Sequence, residues 1–300
     1  MTTLDAVQER RVEFRLLSTR LIPILFLLPC LAFMAIFFLV PAVTLLASSL
    51  MTLGPQGDVG LPLTLNNYGR FFATPLYAHV LMTTLRISLI TSCIAALLAY
   101  PVASVMVKSS PRVTRIVTLI ILAPLVVSVV VRSYGWQLIL SNSPNGILNW
   151  FLMSLGIINE PLTILYAEPA VIIGSLHVYF PMMVLPLSSA LAKINPAVEE
   201  AARTLGGNPL LVFRRVIVPL SLPGLAAGFT IVFSLTAGSF VIPVLLGGNS
   251  AQTLGVLIEQ QILAVNDWPF GAAISVVLVM VVMAINLFSL RILEKRQERR

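Results

Sequence analysis

The sequence predicts an all-α membrane protein with six transmembrane helices in one domain. Three observations point there. Of 300 residues, 58% are hydrophobic and only 10% charged, with a mean hydropathy of +0.96; a soluble domain has about a quarter of its residues charged. Six apolar runs each reach the roughly 20 residues that a helix needs to cross a bilayer. The lysines and arginines gather on alternate loops, as they do in chains whose basic loops stay inside.

Residues 1–20 mix Arg10, Arg11, Arg15 and Arg20 with Asp5, Glu9 and Glu13. No small-residue cleavage site closes the apolar run that follows, so this reads as a cytoplasmic segment before a retained span. Span 1 covers about Leu21 to Leu50, with Pro23, Pro29 and Pro41 inside it; a membrane helix tolerates such prolines when neighbours satisfy the freed carbonyls. A wet loop with Gly54, Pro55, Gly57, Asp58, Gly60 and Pro62 follows. Span 2 runs from about Val80 to Val107 and span 3 from Ile116 to Leu138, joined by a short basic turn at 108–115. A second wet loop, Ser141 to Leu162, has an amphipathic turn around Trp150. Span 4 covers Ala170 to Leu191, span 5 Leu222 to Leu246 and span 6 Phe270 to Leu290, with a loop from Gly247 to Pro269. The transmembrane domain is thus 21–290, and 291–300 form a cytoplasmic tail.

Sixteen of the nineteen basic residues lie on one side: four in the N-terminal segment, three at 108–115, four at 193–215 and five in the tail. The other side holds Arg70, Arg86 and Arg132. Both termini and the 193–215 loop are therefore expected in the cytoplasm. The net charge of +7 is this asymmetry, and it calls for no nucleic acid. Cys30 and Cys93 fall in apolar runs, so neither a disulfide framework nor a metal site is expected.

The loop before span 5 is the informative stretch. Asn195-Pro196 and Asn208-Pro209 are each an N-cap followed by proline at the first helical position. Gly206-Gly207 between them reads as a stop. The prediction is a hairpin of two short helices, about 196–205 and 209–218, within 195–219. Glu199, Glu200, Arg203, Arg214 and Arg215 keep it out of lipid.

Glu200-Ala201-Ala202, three residues, Gly206, nine residues and Val216-Ile217-Val218-Pro219 resemble the EAA loop of ABC-importer permeases, with Val216 and Val218 in place of the usual Ile and Leu. Leu65-Asn66-Asn67-Tyr68, Pro75-Leu76-Tyr77, the run Phe180 to Leu187 and the run Asn266 to Ala273 are similar to the first permease of spermidine/putrescine importers. The resemblance spans about residues 20–290. It implies a type I ABC-importer-like fold whose hairpin is a coupling helix that docks on an ATPase through Glu200, Ala201, Ala202 and Gly206. It also implies two copies of that ATP-binding subunit, a second permease subunit, a periplasmic substrate-binding protein and a place in the bacterial inner membrane.

No phosphate-cradling G-x-x-x-x-G-K-[ST] loop is present, so ATP belongs to a partner subunit and the chain needs no cofactor of its own. No Ser/His or paired-carboxylate arrangement marks it as an enzyme. His177, in the middle of span 4, reads as a satisfied interior histidine. Acids are absent from the centres of the runs, which disfavours an ion-gradient-driven secondary carrier; that carrier, and an importer of another small solute, remain the alternatives. Five outer acids against three basic residues, with Tyr134, Trp136, Tyr166 and Trp268, would draw a cation. Asp267-Trp268, with Tyr134 and Trp136, are the candidates for the substrate path or the binding-protein contact. The same residues also suit an interface belt.

Overall fold

A computed structural model describes residues 26–54 and 57–298. The N-terminal segment 1–20, the first residues of span 1 and the last two residues of the tail lie outside the described part. Among the described residues, five helices are long and apolar enough to cross a membrane: Phe26–Ser49, Pro75–Lys108, Glu168–Ala192, Pro209–Gly238 and Trp268–Ser289. The sixth span is a bent pair, Pro111–Val126 and Val129–Ile139. The tail continues span 6, whose helix runs on to Glu298.

Spans 2, 4 and 5 pack most extensively on one another. Span 2 makes this possible with a stripe of small buried residues that includes Thr84, Ser88, Thr91, Ala95, Ala99 and Ala103. In lipid, where the hydrophobic effect does not drive helices together, small residues let backbones approach closely. Three hydroxyls of this span are met locally: Thr84 donates to Val80 O at 2.7 Å, Ser88 to Thr84 O at 2.7 Å and Ser92 to Ser88 O at 2.8 Å. Span 5 answers with Gly224 and Gly228, one turn apart. A Cβ on Gly224 would sit 2.4 Å from Ala190 Cβ and 2.5 Å from Pro186 O of span 4.

Span 1 is different. From Phe26 to Leu46 its residues are exposed all round. It is fastened at its far end, where Ser49 Oγ pairs with Tyr68 Oη at 2.7 Å and Asn67 Nδ2 donates to Ser49 O and Met51 O. Two residues of the Leu-Asn-Asn-Tyr run therefore hold the end of span 1.

Two spans depart from the sequence expectation. Span 3 is broken: a tight 3-10 turn at Ala123–Val126 leads into extended Val127 and Ser128, and the two helical pieces meet at 101°. The far piece is held by Trp136 Nε1, donating to His177 Nδ1 at 3.0 Å, and by Gln137 Nε2, donating to Leu245 O at 2.5 Å. Span 5 was expected at Leu222 to Leu246, yet it begins at Pro209 and ends at Gly238. Extended Ser239 turns the chain into a separate short helix, Val241–Leu246.

The loop expected from Gly247 to Pro269 also holds more order than a wet loop would. Leu254–Ala264 is an apolar helix, and its first four residues are buried. It is pinned by Leu254 N, which donates to Thr84 Oγ1 at 2.9 Å in the buried core. Thr84→Val, which keeps the shape and removes the acceptor, is expected to cost about 1–3 kcal/mol, the usual penalty for a stranded buried N–H. Thermal unfolding in detergent reads this as a lowered midpoint; an unchanged midpoint would remove the pin from the account. In the 141–165 loop, Asn142 exchanges two hydrogen bonds with Leu165 and Asn149 two with Leu162, and the expected helical turn around Trp150 is Ile147–Ser154.

Candidate functional site

The hairpin is built as its capping residues dictate. Asn195 Oδ1 accepts from Ala197 N at 3.0 Å, and Pro196 opens a helix that ends at Thr204. Gly206 N donates to Arg203 O at 2.9 Å and Gly207 N to Ala202 O at 3.1 Å, with Gly206 at φ +85°. This pairing of donors and left-handed glycine closes a helix end while satisfying its orphan carbonyls. The second glycine has its own reason, which the sequence reading missed. A Cβ at Gly207 would lie 2.6 Å from Ala202 O, so the elbow can close this tightly only with glycine there. Asn208 Oδ1 then accepts from Leu211 N at 2.8 Å.

The second helix is not the separate 209–218 piece the sequence suggested. It is the first part of span 5, continuous from Pro209 to Gly238. Pro219 should interrupt it, having no N–H to give. The helix widens instead into a π turn at Phe213–Ile217, where Val218 N reaches back to Phe213 O. Such a bulge re-satisfies carbonyls around a proline.

Glu200, Ala201 and Gly206 are exposed and Ala202 is half-buried. The same surface carries apolar groups that the motif did not flag: Leu205 is 89% exposed and Leu210 65%. Charge is organised by the neighbouring acid. Glu199 takes Lys108 Nζ at 2.6 Å and 2.9 Å and Arg203 Nη2 at 2.7 Å, whereas Glu200 has no ion pair among the described residues. The hydrogen bond from Lys108, assisted by Arg203 and opposed by partial burial, holds the Glu199 carboxyl below its ordinary 4.5. A depressed carboxyl stabilises above its unfolded value and loses that contribution as pH falls through the folded one. The cluster is therefore whole at neutral pH and comes apart only below about 4.5.

The four outer candidates are not joined to one another by any hydrogen bond among the described residues. Asp267 is buried. Its Oδ2 takes Arg70 Nη1 at 2.8 Å, and its Oδ1 accepts from Phe270 N at 3.1 Å, capping span 6. Arg70 also lies 3.9 Å over the Phe270 ring. This acid, expected to attract a cation, already has one. Trp268 is exposed, with Nε1 on Asn266 Oδ1 at 3.1 Å, and Tyr134 is exposed. Trp136 is partly buried and spends its N–H on His177, which meets the expectation of a satisfied interior histidine. Neither Lys108 nor Arg70 was singled out from the sequence; their partners lie 91 and 197 residues away.

Comparison with known proteins completes the picture. A family model described as binding-protein-dependent transport system inner membrane component matches residues 92–299. The spermidine/putrescine transport system permease protein PotB of Haemophilus influenzae is 38% identical over 252 residues, covering 84% of this chain and 87% of that one. PotB of Escherichia coli K12 is 36% identical, with 83% and 89% covered, and its inner membrane ABC transporter permease protein YdcU is 32% identical, with 72% and 71% covered. In fold, a chain of a bacterial alginate ABC transporter, solved with an alginate pentasaccharide-bound periplasmic protein, aligns with a TM-score of 0.74 at 18% identity, covering 92% of this chain and 95% of that one. With its several apolar spans and the hairpin between spans 4 and 5, this chain belongs to the binding-protein-dependent transport system inner membrane components, the permeases of ABC importers.

Proposed function

We propose that the chain is one of two permeases in an inner-membrane importer of polyamines, driven by ATP that a separate ATPase subunit binds. The observation that carries the proposal is the hairpin. It is rigidly capped, it stands exposed between spans 4 and 5, and it offers Leu205, Leu210 and the carboxylate of Glu200 to a partner. A short helix with apolar anchors and one charge suits a groove on another protein. The basic residues of this side favour the cytoplasm, with both termini. The bare surface of span 1 supports a second permease beside it, and the polyamine substrate is supported by the two PotB relatives. Two copies of the ATPase and a periplasmic binding protein complete the assembly.

Mechanistically, the ATPase need only hold the hairpin differently in its two nucleotide states. The hairpin would then move spans 4 and 5, which continue directly from it, and open the shared path to one side at a time. The test is spermidine and putrescine uptake into liposomes carrying the assembled complex, with and without internal ATP. ATP-dependent uptake of either is expected. A complex that hydrolyses ATP yet moves neither would discard the substrate; gradient-driven uptake by this chain alone would discard the mechanism.

A further inference from the structure

We infer that Lys108 is a positioning residue that joins span 2 to the hairpin, so that the hairpin moves three spans rather than the two it is covalently part of. The inference rests on the docking role proposed above. Spans 4 and 5 flank the hairpin in the chain, whereas span 2 has no covalent link to it. Lys108 is the last residue of span 2, and its Nζ is shared by both oxygens of Glu199, at 2.9 Å and 2.6 Å. Arg203 Nη2 fixes the same carboxylate from one helical turn further on, at 2.7 Å. The hairpin is not packed flush against the span ends here. A cavity of about 430 Å³ lies between them, lined by Val107 and Lys108 on one side and by Glu199, Glu200 and Arg203 on another. Tyr100 of span 2 meets Phe213 on the hairpin's second arm, with ring centroids 5.3 Å apart; across the void, the ion pair ties span 2 to the first helix, Pro196–Thr204.

What span 2 would deliver is set by its far half. Thr84 Oγ1 holds Leu254 N, and Arg86 pairs with Glu168 at the start of span 4. From Lys108 to Thr84 is 24 residues of one helix, about 36 Å at 1.5 Å per residue. A displacement of Glu199 therefore reaches the buried start of the helix Leu254–Ala264 through a single helix.

Spin labels at Val198→Cys in the hairpin and Met82→Cys on the exposed far half of span 2, with Cys30 and Cys93 replaced, give a distance that needs no substrate. It is measured on the chain alone and on the complex with its ATPase, with and without ATP. With Lys108 present the distribution is expected to be narrow and the same in both nucleotide states. Lys108→Met should at least double its width in the chain alone and make it nucleotide-dependent in the complex. Lys108→Arg, which keeps the charge, should restore it, and spermidine moved per ATP hydrolysed should fall about fivefold with Met and recover with Arg. A Lys108→Met distribution equal to the parent's overturns the inference, as does failure of Arg to rescue. If Glu200→Trp still holds the ATPase and couples normally, the docking role falls instead; the distance in the chain alone still tests the tie.

Discussion

Gly224→Leu is expected to leave no folded protein in the membrane. The site has no room to yield: the added Cβ would meet Ala190 Cβ at 2.4 Å and the backbone oxygen of Pro186 at 2.5 Å. One turn on, Gly228 faces Met183 in the same way, at 2.8 Å from its Sδ and 3.0 Å from its carbonyl oxygen. Overpacking a core that can shift costs about 1–3 kcal/mol. Here a backbone oxygen stands in the way where spans 4 and 5 pack closely, and whole domains are stable by only about 5–15 kcal/mol. The measurement is the yield of monodisperse protein in mild detergent, with Gly224→Ala as the intermediate case. Parent-like yield and melting midpoint for the leucine variant would show that spans 4 and 5 do not pack as described.

The second large effect separates function from folding. Gly206 is exposed, and nothing lies within 4 Å of an added Cβ, so Gly206→Val strains only the left-handed backbone at φ +85°. That strain is about 1–2 kcal/mol, enough to open the elbow that closes a nine-residue helix and too little to unfold the spans. Gly206→Val and Glu200→Trp are therefore expected to accumulate normally. Both should lose the co-purifying ATPase and about 100-fold of ATP-dependent uptake, as when an interface loses a dominant anchor. Normal assembly and uptake in both variants would remove the hairpin from the coupling route.

The hairpin was legible because its signals are local. Asparagine before proline favours a helix start and paired glycines a stop; the structure has both caps and the glycine stop where the spacing put them. The break in span 3 was hidden for the opposite reason. Strongly apolar side chains continue on both sides of it, through Leu125, Val126, Val127, Val129, Val130 and Val131, and hydropathy does not register direction. Pro124 and Ser128 were the only marks, and neither compels a bend by itself. The part of the site that the sequence does not show is electrostatic. Glu199 and Glu200 are neighbours of the same type, and a lysine 91 residues earlier, together with Arg203, decides which is spoken for. Asp267 read as an open acid because Arg70 is 197 residues away in the chain.

The π turn at Phe213–Ile217 gives the hairpin's attachment an unexpected property. A π turn carries a surplus residue, so everything on its hairpin side is threaded one step out of phase with the rest of span 5. Removing any one of those five residues would return the segment to ordinary pitch. The caps, the elbow and the direction of the hairpin would survive, whereas the same deletion from the ordinary α-helical part of span 5 would turn the hairpin by about 100° and draw it in by about 1.5 Å. The wide turn is thus a tolerance in the chain: here, unlike elsewhere in the span, one residue can be lost without changing which way Glu200 and Leu205 look.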